Sequence, residues 1–263
     1  MWKIVKIKKI VSETSTTKSF YFDIDDESKI IPGQFYMVWI PGVDEIPMSI
    51  SKIGKEIGIT VHKVGDATAK MHELKVGDRL GVRGPYGNGF RIIGNNILVV
   101  GGGTGIAPLL PAVERARMKD RDVTVVLGAK TASDLLFQLK LTRLVLEDKM
   151  HICTDDGSAG FKGSAADKAE ELIKEGSFDQ VLVCGPEIMM KKVIKIAERR
   201  KIPSFASVER YMKCGLGICD SCALDGYHVC KEGPVFDGKT LLKIKEFGKY
   251  RRKASGLREK IGA

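Results

Sequence analysis

The chain has 263 residues, of which 43% are apolar and 29% charged, a composition typical of soluble globular proteins. This length predicts two compact domains. No apolar stretch approaches the roughly 20 residues that span a bilayer, and the lysines that interrupt the apolar start of the chain argue against a signal peptide. We therefore predict a cytoplasmic protein with no membrane association, in which cysteines stay reduced.

The net charge of +10 is concentrated near the end of the chain. Residues 241–263 carry eight Lys or Arg and two Glu, a net charge of +6. Such a run is typical of a solvated face or a docking tail, and the sequence lacks the interleaved basic and aromatic residues of RNA-binding proteins. We therefore predict no nucleic-acid partner. A nucleic-acid binder that uses this tail is the weaker alternative.

Short alternating segments fill residues 1–93 and predict an antiparallel β-barrel domain. The predicted strands, separated by glycine and proline turns, are residues 3–10, 19–25, 34–40, 46–52, 57–64 and 78–84.

Residues 94–207 have a different pattern, in which continuous apolar runs alternate with helical stretches. Such a pattern predicts an α/β domain with a parallel sheet covered by helices on both faces. The apolar runs are residues 95–100, 123–129, 150–156 and 179–185, and the helical stretches are residues 107–118, 164–175 and 186–200. Residues 208–263 form a small third region that contains a group of cysteines and the basic tail.

A glycine-rich loop follows the first apolar run of the α/β region. Its residues are Gly101, Gly102, Gly103, Thr104 and Gly105. Glycines let the backbone approach a pyrophosphate, and the N-terminus of the next helix attracts anions. The loop departs from the G-x-G-x-x-G fingerprint at Ile106, and Lys130 is the first charge after the next strand. The sequence therefore predicts a dinucleotide site without deciding between NADH and NADPH; a plain strand-to-helix turn is the alternative.

The last long strand of the α/β region ends in Cys184, Gly185 and Pro186. Because ligands of open α/β sheets bind at the carboxyl ends of the strands, we predict that these residues face the dinucleotide. A buried cysteine is also a common apolar filler. That is our interpretation of Cys153 and the alternative for Cys184.

Four of the six cysteines follow the pattern C-x4-C-x2-C-x7-C. They are Cys214, Cys219, Cys222 and Cys230. Plant-type [2Fe–2S] proteins use C-x4-C-x2-C and a more distant cysteine, and Gly215 and Gly217 permit the tight bends that a small cluster requires. Zinc is the serious alternative, because structural zinc sites begin with a C-x2–4-C pair, and disulfides are a weaker one. A cluster takes one electron whereas a hydride carries two, so a flavin is expected between the cluster and the nicotinamide.

Three further motifs resemble the ferredoxin–NADP reductase superfamily in sequence and in order. They lie at residues 84–90 (GPYGNGF), 101–108 (GGGTGIAP) and 184–190 (CGPEIMM). With the cysteine segment added, the chain is similar to the electron transfer subunits of dihydroorotate dehydrogenase B. The resemblance implies FAD, a [2Fe–2S] cluster held by the four cysteines, and NAD(H) as a co-substrate.

The resemblance also implies where the flavin binds. The residues at its two flavin motifs are Pro47, Met48, Ser49, His62, Gly65, Ala67 and Thr68. The first three would lie along the isoalloxazine and ribityl chain, and the others around the phosphates. Ile46 stands where the family usually has arginine, so His62 or Lys63 is expected to supply the missing charge. An ordinary exposed strand residue is the alternative for His62.

The resemblance implies an electron conduit with no catalytic acid or base of its own. Electrons would pass between NAD(H), FAD and the cluster, and to or from an FMN-containing dihydroorotate dehydrogenase catalytic subunit, with two copies of each chain. Leu216 and Ile218 are the expected contact face. The alternative is an NAD(P)H-oxidising subunit of a sulfhydrogenase or of an NAD(P)H:ferredoxin oxidoreductase. Cys214 favours the dihydroorotate system, because some of those proteins have Asp at its position.

Overall fold

The computed structural model describes residues 2–24, 30–253 and 255–261. The first part of the chain forms a curled antiparallel sheet of seven strands in the order β1-β7-β4-β5-β6-β3-β2. The strands are β1 (Lys3–Lys6), β2 (Lys9–Ser12), β3 (Thr17–Phe22), β4 (Phe35–Ile40), β5 (Asp44–Lys52), β6 (Ile57–His62) and β7 (Arg79–Tyr86). One helix, α1 (Asp66–Glu73), follows β6.

The first predicted strand is divided between the two edges of this sheet. β1 pairs with β7, whereas β2 pairs with β3. The crossing occurs between two neighbouring residues, because the N–H of Ile7 donates to the carbonyl of Asp78 and the N–H of Lys8 to that of Tyr21, at 2.9 and 2.8 Å. This crossing brings the two edges together, so the predicted barrel is confirmed as a curled antiparallel sheet. Of the predicted segment 19–25, Asp25 lies outside the described residues.

The second sheet is the α/β layer and has the order β11-β10-β9-β8-β12-β13-β16. Its strands are β8 (Asn96–Gly102), β9 (Asp122–Ala129), β10 (Met150–Thr154), β11 (Phe161–Lys162), β12 (Gln180–Cys184), β13 (Ser204–Ser207) and β16 (Val235–Asp237). All neighbouring strands are parallel except β16, which is antiparallel to β13. The predicted parallel sheet is therefore mixed at one edge, and the antiparallel strand comes from the third region of the chain.

Helices cover both faces of this sheet, as predicted. They are α2 (Ile106–Arg117), α3 (Gln138–Thr142), α4 (Ala165–Glu175) and α5 (Glu187–Arg199). Ile97 and Val99 of β8 share a buried cluster with α2, whereas Leu98 and Val100 share one with α4 and α5. Because side chains alternate along a strand, one fully buried strand serves both layers.

The third region contains two small hairpins in addition to β16. They are β14 (Ala223–Leu224) with β15 (Tyr227–His228), and β17 (Tyr250–Arg252) with β18 (Arg258–Lys260). Helix α6 (Gly238–Lys243) packs with its Leu241 in the cluster that contains α5. In the part of the chain that the structure describes, no helix is long and apolar enough to cross a membrane.

Candidate functional site

The four cysteines of the spacing motif lie in one loop segment between β13 and β16. Cys222 and Cys230 are buried, Cys214 is half-buried, and Cys219 is exposed. Their sulfurs lie in two close pairs, Cys214 with Cys219 and Cys222 with Cys230, and the backbone N–H of Cys230 lies 3.4 Å from the Cys222 sulfur. The exposed Cys219 makes one edge of the segment accessible from outside.

Backbone N–H groups point at these sulfurs. Leu216 and Ile218 donate to the sulfur of Cys214 at 3.3 and 3.4 Å, and Gly217 donates to that of Cys230 at 3.2 Å. Burial opposes ionisation of Cys214, but the N–H groups outweigh it and lower the thiol pKa to about 6. The pKa of Cys230 is raised to about 12, first by burial and then by Cys222. The backbone around Cys214 thus stabilises negative charge on that sulfur, and the thiolate is the form that binds metal, whereas burial keeps the Cys230 thiol neutral in the absence of metal.

This donor set fits an iron–sulfur cluster. Among the residues that the structure describes, no group of three or more His, Cys, Asp or Glu is arranged to hold one metal ion. Four thiols in two pairs instead suit a cluster with two irons, each of which takes two cysteines. Gly215 and Gly217 have positive φ values of 70° and 73°, so the backbone bends here as few side chains allow. These bends allow the loop to close round a small cluster.

Arg83 joins the first sheet to the cluster loop. Its guanidinium donates to the carbonyls of Cys214 and Lys213 at 2.6 and 3.2 Å and forms an ion pair with Glu45. Its side chain is only 12% exposed. The sequence offers no local signal for this contact, because 131 residues separate Arg83 from Cys214.

The motif at residues 84–90 holds the other end of the cluster segment. The N–H of Asn88 donates to the carbonyl of Gly233 at 2.5 Å, and its side-chain amide donates to that of Glu232 at 2.7 Å. A Cβ at Gly87 would lie 2.5 Å from Pro234, so this contact excludes larger residues. Residues 83–88 therefore fix the cluster segment on both sides of its cysteines.

Substitution of Arg83 by alanine is expected to loosen the cluster loop. The change removes two hydrogen bonds to the loop backbone and leaves Glu45 without its partner. Loss of such supporting contacts typically weakens metal binding about 10–100-fold, so we expect faster bleaching of the visible cluster absorption by a chelator. Arg79→Ala is the matched control, because Arg79 is an exposed residue of the same strand. Equal bleaching rates in both variants would show that Arg83 does not support the cluster.

A cleft of about 860 Å³ lies at the carboxyl ends of β8, β9 and β12. The predicted residues that line it are His62, Gly102, Gly103, Thr104, Gly105, Gly185 and Pro186. The other lining residues are Thr14, Thr16, Thr17, Ala129, Lys130, Asp134, Glu187, Ile188, Glu209, Arg210, Tyr211, Arg251, Arg252 and Ile261. The structure therefore brings together most of the glycine loop, the end of β12 and one residue of the second flavin motif.

The glycines of the loop differ in the space around their Cα atoms. Gly103 has a positive φ of 55°, and a Cβ there would meet no atom within 4 Å, so it borders open space in the cleft. A Cβ at Gly105 would lie 2.4 Å from the carbonyl oxygen of Cys184, so Gly105 permits close packing of the start of α2 against the end of β12. Gly101 is buried, and its Cβ would lie 2.6 Å from Ile106. Of the three, Gly103 is the one whose backbone a ligand can approach.

Cys184 lies beneath the cleft and does not line it. Its side chain is 1% exposed, and its thiol is 3.4 Å from the carbonyl of Ser207. Burial raises the pKa of this thiol, so it stays neutral. Cys153 is likewise fully buried, and burial raises its pKa to about 11. Both have the environment of apolar fillers.

The other flavin residues lie on β5 and at the start of α1. Pro47, Met48 and Ser49 are half-buried on β5 and are outside the lining of the cleft. Gly65 is the N-cap of α1, and the Thr68 hydroxyl accepts from its N–H at 3.0 Å. A Cβ at Gly65 would meet no atom within 4 Å. The first N–H groups of a helix have no acceptor within the helix, so the start of α1, which includes Ala67, leaves N–H groups unpaired between Lys63 and the exposed Asp66 of the first turn.

Comparisons with known proteins agree with this geometry. A family model described as the iron–sulfur cluster binding domain of dihydroorotate dehydrogenase B matches residues 209–242. A model of the oxidoreductase NAD-binding domain matches residues 99–195. A protein of Methanocaldococcus jannaschii named as the probable electron transfer subunit of dihydroorotate dehydrogenase B (NAD(+)) is 51% identical, with 96% of each chain covered. The chain belongs to this family of electron transfer subunits.

Other members and solved structures extend the likeness. The Methanothermobacter thermautotrophicus relative of the same name is 45% identical, with 97% of this chain and 96% of the relative covered. The structure of an NADH-dependent reduced ferredoxin-NADP oxidoreductase has a TM-score of 0.77 and 29% identity, with 93% of each chain covered. A ferredoxin NADP+ reductase from Neisseria gonorrhoeae, with a TM-score of 0.65, 16% identity and 75% of this chain and 91% of that chain covered, shares the fold. The predicted superfamily is therefore confirmed, and the family models show an NAD-binding and an iron–sulfur domain.

Proposed function

We propose that this chain passes electrons between NAD(H) and the FMN-containing catalytic subunit of dihydroorotate dehydrogenase B, in a complex with two copies of each subunit. The observation that carries the proposal is the fixed position of a four-thiol loop, attached by Arg83 and Asn88 to the sheet that bears the flavin motifs. The same chain places a dinucleotide cleft between that sheet and the α/β layer. One chain thus holds sites for a hydride donor and for a one-electron exit.

FAD and a [2Fe–2S] cluster, when bound, supply the conversion between two-electron hydride transfer and one-electron transfer. The residues of the chain hold and orient these groups. The N–H groups of Leu216 and Ile218 stabilise negative charge at Cys214, and the open space at Gly103 admits the dinucleotide backbone. No side chain of this chain acts on the pyrimidine, since that chemistry belongs to the partner.

The start of α1 supplies the positive potential for the flavin pyrophosphate that Ile46 cannot supply. Ile46 lies on β5 among half-buried residues and offers no charge. The N–H groups at the open start of α1 point outward with the positive end of the helix dipole, and Lys63 and His62 precede them as exposed residues. We assign the flavin pyrophosphate to this helix start, and the isoalloxazine to the half-buried surface of Pro47, Met48 and Ser49.

The partner is expected to dock on the exposed edge of the cluster loop. Leu216 and Ile218 lie between Cys214 and the exposed Cys219 in the chain, and their exposed fractions are 49% and 76%. A second exposed apolar pair lies on the first sheet near Arg83, whose guanidinium is 5.4 Å from the ring of Trp2, and Trp2 packs edge-on against Trp39. Clustered exposed apolar side chains of this kind mark protein interfaces, in which tryptophan is enriched.

Mixing this chain with an FMN-containing dihydroorotate dehydrogenase subunit tests the assignment. We expect a stable hetero-oligomer in size-exclusion chromatography coupled to light scattering. Ile218→Asp is expected to weaken assembly about tenfold or more, because it places a charge at the centre of an apolar contact. Leu257→Asp, at a residue 68% exposed in the C-terminal hairpin, is the control and is expected to assemble normally. Failure of the unchanged chain to bind any such subunit would contradict the proposal.

A second candidate function keeps the cofactors and changes the partner. The likeness to the NADH-dependent reduced ferredoxin-NADP oxidoreductase, at 29% identity, supports an electron-transfer role in which a ferredoxin-linked subunit takes the place of the dihydroorotate enzyme. Relatives named for the dihydroorotate system are 41–51% identical over nearly the whole chain, which favours the first proposal. Binding of a ferredoxin-linked or hydrogenase subunit in place of the FMN subunit would favour the second.

A further inference from the structure

The basic C-terminal segment folds back onto the dinucleotide cleft. The sequence predicts a solvated face or docking tail there, but Tyr250–Arg252 and Arg258–Lys260 pair as the β17–β18 hairpin. Arg251, Arg252 and Ile261 line the same cleft as Gly103. The hairpin therefore forms part of the wall of the cleft, although it is far from the glycine loop in the sequence.

Buried contacts tie the hairpin to the nucleotide-binding layer. The carboxylate of Glu187, in the first turn of α5, accepts from the N–H of Gly248 at 2.7 Å. Glu187 also forms an ion pair with Arg210, whose side chain is 2% exposed. Arg210 in turn donates to the carbonyl of Tyr250 at 3.3 Å. Because Glu187 directly follows Pro186 of the cleft, the position of the hairpin is set by the end of β12.

The two hairpin arginines keep donors available for a ligand. In the described residues, the ion pair of Arg251 with Glu259 involves its Nε atom at 2.9 Å, so its two Nη groups can reach other acceptors. Arg252 donates to the carbonyl of Gly256 at 3.4 Å and lies 3.8 Å from Glu246. Both distances are longer than those of strong hydrogen bonds and close ion pairs. A guanidinium has five N–H donors, so hydrogens on the Nη groups of both arginines are not used by these contacts, whereas the Nε of Arg252 is buried and has no partner among the described residues.

The cleft lining carries more cations than carboxylates at the hairpin, where Arg251 and Arg252 are balanced in part by Glu259 and Glu246, which do not line the cleft. Its carboxylates are Asp134, Glu187 and Glu209, and its cations include Lys130, Arg210, Arg251 and Arg252. Glu187 forms an ion pair with the buried Arg210, so these two residues together add no net charge to the cleft lining. The planar fork of arginine matches phosphate oxygens in a way that lysine does not.

We propose that Arg251 and Arg252 bind a phosphate of the pyridine dinucleotide docked on the glycine loop, so that the C-terminal hairpin completes the cofactor site. The proposal rests on the proposed function, since it assumes a dinucleotide in this cleft. Both NADH and NADPH carry a pyrophosphate, and NADPH alone has a 2′-phosphate, so the two dinucleotides distinguish which phosphate the arginines meet.

The test compares two double variants of the flavin-loaded, iron-loaded protein. Arg251→Gln with Arg252→Gln removes the cleft-lining charges, and Lys253→Gln with Lys260→Gln removes two exposed charges of the same hairpin that do not line the cleft. Binding of NADH and NADPH is measured by calorimetry at two salt concentrations, together with flavin and iron content. We expect the first variant to raise Kd about tenfold or more, from the loss of charge-assisted hydrogen bonds, with a weaker salt dependence. The second variant should bind as the unchanged protein does.

The outcomes separate this proposal from the proposed function. A rise in Kd for both dinucleotides supports binding of the pyrophosphate, and a rise for NADPH alone supports binding of the 2′-phosphate. Unchanged Kd values in the arginine variant, with weakened binding in Gly103→Val, would overturn the hairpin proposal and leave the cleft assignment intact. Unchanged values in both variants would overturn the cleft assignment as well.

Discussion

Replacement of Cys219 by serine is expected to abolish iron binding while flavin is retained. Serine keeps the size of the side chain but offers a hydroxyl that does not ionise near neutral pH, so the loop would lose one of the four thiolates that a [2Fe–2S] cluster needs. The flavin residues lie on β5 and α1, away from the loop. Iron and sulfide analysis with flavin absorbance of anaerobically purified protein measures both effects.

The matched control for this change is Ser221→Ala. The thiol of Cys219 donates to the hydroxyl of Ser221 at 3.3 Å, so the control disturbs the same stretch of the loop and keeps all four thiols. We expect full iron content there. Full iron content in Cys219→Ser would reject Cys219 as a ligand, and stoichiometric zinc without visible absorption in the unchanged protein would reject the cluster altogether.

Replacement of Gly103 by valine is expected to raise the Michaelis constant for NADH about tenfold or more without changing flavin content. The new side chain would project into the open space of the cleft, where a Cβ meets no atom within 4 Å, and would occupy the path of the dinucleotide. Such a change removes binding common to ground and transition states, so KM should respond more than kcat. Steady-state kinetics with an artificial electron acceptor measures the effect.

Backbone strain must be separated from the loss of binding space. Gly103 has a φ of 55°, and side chains in this region cost roughly 1–2 kcal/mol. Gly42→Val is the matched control, because Gly42 has a φ of 76° and equally open surroundings on the first sheet. Both variants should lose a few degrees in Tm, about 2–4 °C per kcal/mol for a chain of this size. Equal KM values for NADH in the two variants would show that the glycine loop is a plain strand-to-helix turn and does not bind the dinucleotide.

The sequence predicts those features of the fold and the site that are set by residues close together in the chain. Cysteine spacing and the flanking glycines are local constraints on a cluster loop, and the structure places Cys214 next to Cys219 and Cys222 next to Cys230. The runs at residues 95–100 and 179–185 predicted strands that pair directly in the sheet, β8 with β12. Local pattern did not show that residues 3–10 divide between two edges, because alternation indicates which face a side chain takes but not which strand lies beside it.

Contacts between distant segments were not predictable in this way. The ion pair of Arg83 and its bonds to the cluster loop depend on how the first sheet packs against the third region. The basic tail was read from charge alone, and charge does not distinguish a solvated run from a hairpin anchored by Glu187. Cys184 was expected to face the dinucleotide, but the pleat of β12 turns its side chain toward Ser207, so only its neighbours Gly185 and Pro186 line the cleft.

The reduction of NAD⁺ by dihydroorotate in the reconstituted complex tests the central claim most directly. The isolated chain should reduce artificial acceptors with NADH and should not oxidise dihydroorotate. With the FMN-containing subunit added, anaerobic mixtures of dihydroorotate and NAD⁺ should form NADH, and Cys219→Ser should abolish that formation while dihydroorotate oxidation by dyes at the partner continues. Oxidation of dihydroorotate by the purified chain alone, or undiminished NADH formation with Cys219→Ser, would contradict the account.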